Sequence, residues 1–134
     1  MLTITNAKVY LGTGEVVENG QIQIEGGKFK AVAASAQIPE GSTVIDAGGK
    51  IVTPGLIDAH THLGVDEQGI GVEGHDYNES SSEITPQVRS LDGINPFEQG
   101  FEDARQSGVT TVQILPGSAN VIGGEMVTVK TVGT

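Results

Sequence analysis

Residues 58–62 read Asp-Ala-His-Thr-His, which sets two imidazoles two positions apart at the end of a run that begins Leu56-Ile57. In an extended strand, residues two apart share a face, so His60 and His62 project together and Asp58 lies one step deeper on the same side. Two neutral imidazoles so spaced can grip one divalent cation, for which Zn²⁺ is the natural candidate. Asp58 is then placed to orient a ligand from behind. A His-x-His pair is also common in ordinary strands, and spacing alone leaves both readings open.

The elements that must hold these residues follow from local pattern. Before Pro54 the chain reads as short strands broken by glycine turns. Leu2 to Leu11 comes first, then Gln21 to Glu25 with alternating Ile22 and Ile24. A Gly26-Gly27 hairpin leads into Lys28 to Ala34, and short segments follow at Val44 to Asp46 and Lys50 to Thr53. This half is expected to be an all-β meander or part of a sandwich. After Pro54-Gly55 the period changes. Leu56 to Leu63 is a compact strand, and residues 96–107 form a helix with Asn95 as cap, Pro96 in the first turn, and Phe97, Phe101 and Ala104 on one stripe. Gly108 suits the position just past its end. Val109 to Leu115 is a β-branched strand, so strand, helix and strand make a βαβ unit. Residues 63–94 form an unusually long connection rich in Gly, Ser, Asp and Glu, a length that signals a functional lid or a disordered segment.

Composition narrows the chemistry. The 134 residues carry 17 acids and 7 bases, a net charge of −10, which disfavours nucleic acid and anionic membrane surfaces as partners. The absence of cysteine excludes disulfides, thiolate metal sites and a cysteine nucleophile. No targeting or membrane-spanning segment is read from the sequence, so a soluble, cytoplasmic protein is expected. The charge is local. Residues 1–50 are nearly balanced, whereas 66–103 hold ten acids against Arg89 alone. A negatively charged lid favours neutral or cationic small molecules over phosphorylated ones, and surface solvation is the plainer explanation of the same charge.

Three segments resemble the metal-dependent amidohydrolase superfamily: Gly48 to His62, Ala104 to Val112, and Asn6-Ala7-Lys8-Val9-Tyr10 with Gly26-Gly27-Lys28. The likeness is nearest to the branch that includes imidazolonepropionases and Xaa-Pro dipeptidases. It implies a mixed α/β chain. Residues 1–53 would be the N-terminal part of a small β-sandwich domain, and 54–134 the first strands and helix of an incomplete (β/α)₈ barrel. His60 and His62 match the family's strand 1 metal ligands, one or two divalent ions being expected, with Zn²⁺ foremost. The implied reaction is hydrolysis of a C–N bond in a cyclic amide, amidine or dipeptide by metal-activated water. The general-base aspartate is expected beyond residue 134, so the chain is read as an N-terminal fragment, inactive alone. An open barrel piece leaves a sheet edge and apolar faces uncovered, so association between copies or partial disorder is expected.

The resemblance also raises Lys130, at the end of a strand-like run, as a candidate bridging ligand; a solvent-exposed strand-end lysine is the alternative. His75 in the acidic loop and Asn120 in the glycine-rich loop 117–124 are candidate substrate contacts, with plain loop and turn roles as the alternative. The competing function is a non-catalytic β-rich binding or structural module with a weak or vestigial His-x-His site.

Overall fold

The computed structural model describes residues 1–133 and divides into two compact units, Met1–Pro54 and Gly55–Thr134. In the first, β1 (Leu2–Tyr10), β2 (Val16–Glu25) and β3 (Lys28–Ala33) form an antiparallel meander. The two-residue turn between β2 and β3 has φ of +57° at Gly26 and +73° at Gly27, the left-handed pair that a hairpin twisting with its strands requires. The meander ends there. β4 (Thr43–Asp46) and β5 (Ile51–Val52) both run parallel to β1, along its other edge, so the unit is one mixed five-stranded sheet. A nine-residue connection after β3 carries the chain back to start β4 beside Leu2, which a run of hairpins could not do.

A bulge in β1 organises the packing. Between Ile4 and Ala7 two residues of β1 face one of β2, and the extra residue, Asn6, takes φ +53°. The bulge shifts the parity of the strand, so that Ile4 before it and Ala7 and Val9 after it pack against Ile22. Asn6 Nδ2 donates to Asp46 Oδ1 at 3.0 Å, and the same oxygen accepts the Gly48 N–H at 2.8 Å. The Gly48 N–H, and after it the Asn6 amide, hold the Asp46 carboxyl below the usual carboxylate range.

The second unit contains β6 (Leu56–Thr61), a 3₁₀ turn (Val72–Gly74), two helices, α1 (Ser90–Gly93) and α2 (Gln99–Gln106), and the strands β7 (Val109–Ile114) and β8 (Val127–Lys130). β6 and β7 pair in parallel with α2 between them in sequence, the expected βαβ unit. β8 then turns back antiparallel on β7, a departure from the parallel order of a barrel sheet. Phe101, Val65, Val112 and Ile114 are the buried core, bordered by Leu63, Tyr77, Ile94, Val127 and Val129.

The helix begins three residues later than its sequence signals indicate. Asn95 accepts the Phe97 N–H at 3.0 Å and donates to Glu67 Oε2 at 2.8 Å, so it closes a local turn and ties the long connection instead of capping. Glu98 is the cap, its carboxylate accepting the Gly100 N–H at 2.8 Å. Phe97 therefore falls outside the helix and is 93% exposed, while Phe101 carries the buried face at 5%. The far end agrees with expectation, since Gly108 takes φ +82° just after Ser107. No helix among the described residues is long and apolar enough to cross a membrane.

Candidate functional site

β6 delivers its histidines through a second bulge. Asp58 pairs with Val112 and Thr61 with Ile114, so two residues of β6, Ala59 and His60, lie opposite one of β7, Gln113. Bulges re-aim side chains, and this one lies beside both imidazoles. Past it, Leu115 N–H donates to Thr61 O at 2.9 Å, which pins the strand end. The chain then turns, with the N–H groups of Val65 and Asp66 both bonded to His62 O. The His60 and His62 rings lie 5.9 Å apart between centroids, nearly perpendicular at 88°.

The two rings are anchored differently. His62 Nδ1 lies 2.8 Å from the Leu115 carbonyl oxygen. A carbonyl can only accept, so Nδ1 is the donor of this contact, and in the neutral ring that tautomer leaves the Nε2 lone pair for an electrophile. His60 is exposed, and its backbone N–H donates to Asp58 Oδ1 at 3.1 Å. Asp58 thus folds back on the main chain and fixes the bulge, and the bulge interrupts the simple alternation on which its shared face depended.

His62 has a neighbour that spacing does not reveal. Tyr77 stacks on it with centroids 5.0 Å apart and planes 28° from parallel, and His75 meets Tyr77 edge-on at 6.0 Å. His75 Nδ1 is 2.6 Å from Asp66 Oδ1, across an antiparallel bridge between the same two residues. The start of the long connection therefore doubles back as a small hairpin, tied also by Glu67 N–H to Gly74 O and Asp76 N–H to Val65 O, each at 2.8 Å. Tyr77 is then tethered from the other side, because its carbonyl accepts the Gly117 N–H. Only glycine permits that approach, since a Cβ on residue 117 would lie 2.6 Å from the Tyr77 ring. The one hint in the sequence is that Tyr77 repeats, relative to His75, the two-residue spacing of His60 and His62.

The remaining candidates lie elsewhere. Asn120 donates through Nδ2 to Glu79 O at 2.8 Å and Ser82 O at 2.7 Å, which clamps the acidic connection to the loop after β7. Lys130 pairs with Thr111 and donates to its hydroxyl at 3.0 Å, in register with Ile57 at the start of β6. The imidazoles sit at the opposite end of that strand, so the structure does not bring Lys130 to them. Among the described residues no three His, Asp or Glu side chains converge as a metal-binding group.

No protein-family model matches the sequence. The amidohydrolase tasK of Hapsidospora irregularis is 40% identical over 116 residues, which cover 86% of this chain and 11% of that protein. The imidazolonepropionase of Bacillus thuringiensis (strain Al Hakam) is 47% identical over 55 residues, covering 40% of this chain and 13% of the relative. The crystal structure of an amidohydrolase from Thermotoga maritima MSB8 matches 99% of this chain and 34% of its own, with a TM-score of 0.88 and 35% identity. The chain thus spans about a tenth of the curated relatives' length and about a third of the solved one. Backbone agreement along nearly all of the chain, joined to identity at this level, places it by descent: the chain belongs to the amidohydrolase superfamily.

Proposed function

We propose that these residues supply the first metal ligands and the first strand-to-helix loop of a barrel hydrolase that cleaves a carbon–nitrogen bond. The substrate classes are cyclic amides, amidines and dipeptides. The supporting observation is the His62 anchor, in which Nδ1 is committed to the Leu115 carbonyl and Nε2 is free beside the His60 ring. Metal-binding histidines characteristically have their other ring nitrogen tied in this way. Position agrees, because the pair lies at the C-terminal end of a strand in a parallel pairing, the side on which barrel enzymes build active sites.

The donors present fit a borderline-soft divalent ion such as Zn²⁺, with His60 and His62 as two of its ligands. Such an ion, when bound, supplies Lewis acidity toward a carbonyl and lowers the pKa of a coordinated water. This chain's own part is to hold the two imidazoles, to fix the His62 tautomer through Leu115, and to cover one side of the site with Tyr77. The other ligands and the general-base aspartate are assigned to sequence outside these 134 residues. Lys130 is left with a structural role on β8.

Calorimetric titration of the chain with Zn²⁺ tests this reading. Weak, saturable binding is expected, and His62→Ala should abolish it. Unchanged binding in that variant, or none in the wild type, would leave the non-catalytic module as the better account. On a chain that includes the following sequence, metal analysis and an activity screen over cyclic amides, dipeptides and deaminase substrates identify the bond that is cut.

A further inference from the structure

Phe97 belongs to the apolar stripe by its spacing and lies outside it in the fold. The turn that Asn95 closes on the Phe97 N–H and the cap that Glu98 provides fix the backbone on both sides, and the ring is left almost wholly in water. Its surroundings are apolar. A groove of about 840 Å³ runs between this turn and the end of β8, walled by Leu91, Ile94, Phe101, Val129 and Val132, with Phe97 on its border. Leu91 is 53% exposed and Val132 69%, so among the described residues nothing covers the outer wall. An exposed aromatic ring beside an uncovered apolar groove marks a contact surface.

Charge indicates what the surface meets. Among the described residues no carboxylate lines the groove, although the span 66–103 holds ten acids against Arg89 alone. Arg105 at its edge is committed to Glu102 and to the Thr131 carbonyl, and Lys130 donates to the Thr111 hydroxyl, so neither cation is left over for an anionic ligand. The occupant is therefore apolar. Two copies of net charge −10 repel each other over most approaches, and a patch without carboxylates is where they can meet. Ring and groove lie side by side on that patch, which is the arrangement a two-fold axis requires: each copy's ring faces the other's groove.

We propose that this surface is a homodimer contact in which the Phe97 ring of each copy seats in the groove of the other, against Leu91 and Val132. The pinned turn holds the ring outward before contact, which lowers the ordering cost of association. Two rings and two grooves make a small interface, so a reversible dimer in the micromolar range is expected, not an obligate one. His60 and His62 take no part in it.

Sedimentation equilibrium of the chain in EDTA, which excludes bridging by metal, tests the contact. The wild type should show a monomer–dimer equilibrium that tightens as salt rises from about 0.05 to about 0.5 M, because the net charge is screened. Phe97→Glu, which removes the ring, and Val132→Glu, which alters the groove, should each weaken the dimer at least about a hundredfold, since each change acts twice in a symmetric pair. Ile57→Glu makes the same change of charge at an apolar residue of β6 that is 71% exposed, and should weaken it by less than about threefold. Phe97 and Val132 are both exposed, so their variants should fold, which the amide spectrum of each ¹⁵N-labelled chain checks. In the wild-type spectrum, dilution should move the Leu91, Ile94 and Val132 amides and leave those of β6 in place. A wild type that stays monomeric up to about 1 mM, a dimer that salt dissociates, or an equal effect of Ile57→Glu would overturn the proposal. Dilution shifts centred on β6 would overturn it too, assigning association to the open sheet edge.

Discussion

The two units use their residues in opposite ways. In Met1–Pro54 the strands adjoin in sequence or cross once, the core is a narrow stripe of Ala7, Val9 and Ile22, and nearly every structural role is backbone pairing. Among the described residues of Gly55–Thr134 three strands pair, and the 32-residue span 63–94 is fixed by contacts with partners far along the chain. Tyr77 meets His62, Asn120 holds Glu79 and Ser82, and Asn95 holds Glu67. The difference shows where a scaffold can carry chemistry. A sheet whose hydrogen bonds are used up on itself positions little else, while a long loop pinned at a few points can present side chains whose places are fixed without being packed.

The largest expected effect bears on the core under that loop. Phe101→Ala empties the centre of the cluster that includes Val65, Val112 and Ile114, and should cost about 3–5 kcal/mol, read as lost hydrogen-exchange protection at the Val112 and Ile114 amides. Retained protection there would mean that the second unit does not depend on this core. Next is the loop clamp. Asn120→Ala removes the donor of two carbonyls and should cost about 0.5–1.5 kcal/mol, with faster proteolysis between Glu79 and Ser82. An unchanged cleavage rate would show the span held by something other than its pinning contacts, and the contrast between the units would lose its basis.

The smallest effect is acid sensitivity. Asp46 in the first unit, and Glu79, Asp92 and Glu102 in the second, are carboxylates held below their usual range by hydrogen bonds. A group depressed in the folded state adds stability above its unfolded pKa, about 3.9 for Asp and 4.3 for Glu, and that share is lost as pH falls through the folded value. Hydrogen exchange between pH 6 and 3 should therefore show more weakening in the second unit than in the first. Asp46→Asn should remove most of the first unit's acid response. Equal responses in the two units would contradict this.

Local signals were readable and distant ones were not. The Gly26-Gly27 hairpin, the strands flanking it and the end of α2 at Gly108 follow from residues within a few positions of each other. The start of α2 misleads because Asn95, a good cap in isolation, is drawn to Glu67, 28 residues away. The return of β4 alongside β1 rests on pairing across about 40 residues, which no short pattern encodes. At the site, the nearness of His60 and His62 is legible from spacing. The features that would make them ligands, the Leu115 carbonyl 53 residues on and the Tyr77 ring on His62, are products of the fold.

The Tyr77 stack has a spectroscopic consequence. The chain has no tryptophan and only two tyrosines, and Tyr10 lies in the other unit. Ultraviolet emission therefore comes from two phenols, one of them in contact with an imidazole whose electron density a bound metal would withdraw. Replacing Tyr10 with Phe would leave a single emitter against His62, a built-in optical gauge of that ring that needs no attached dye.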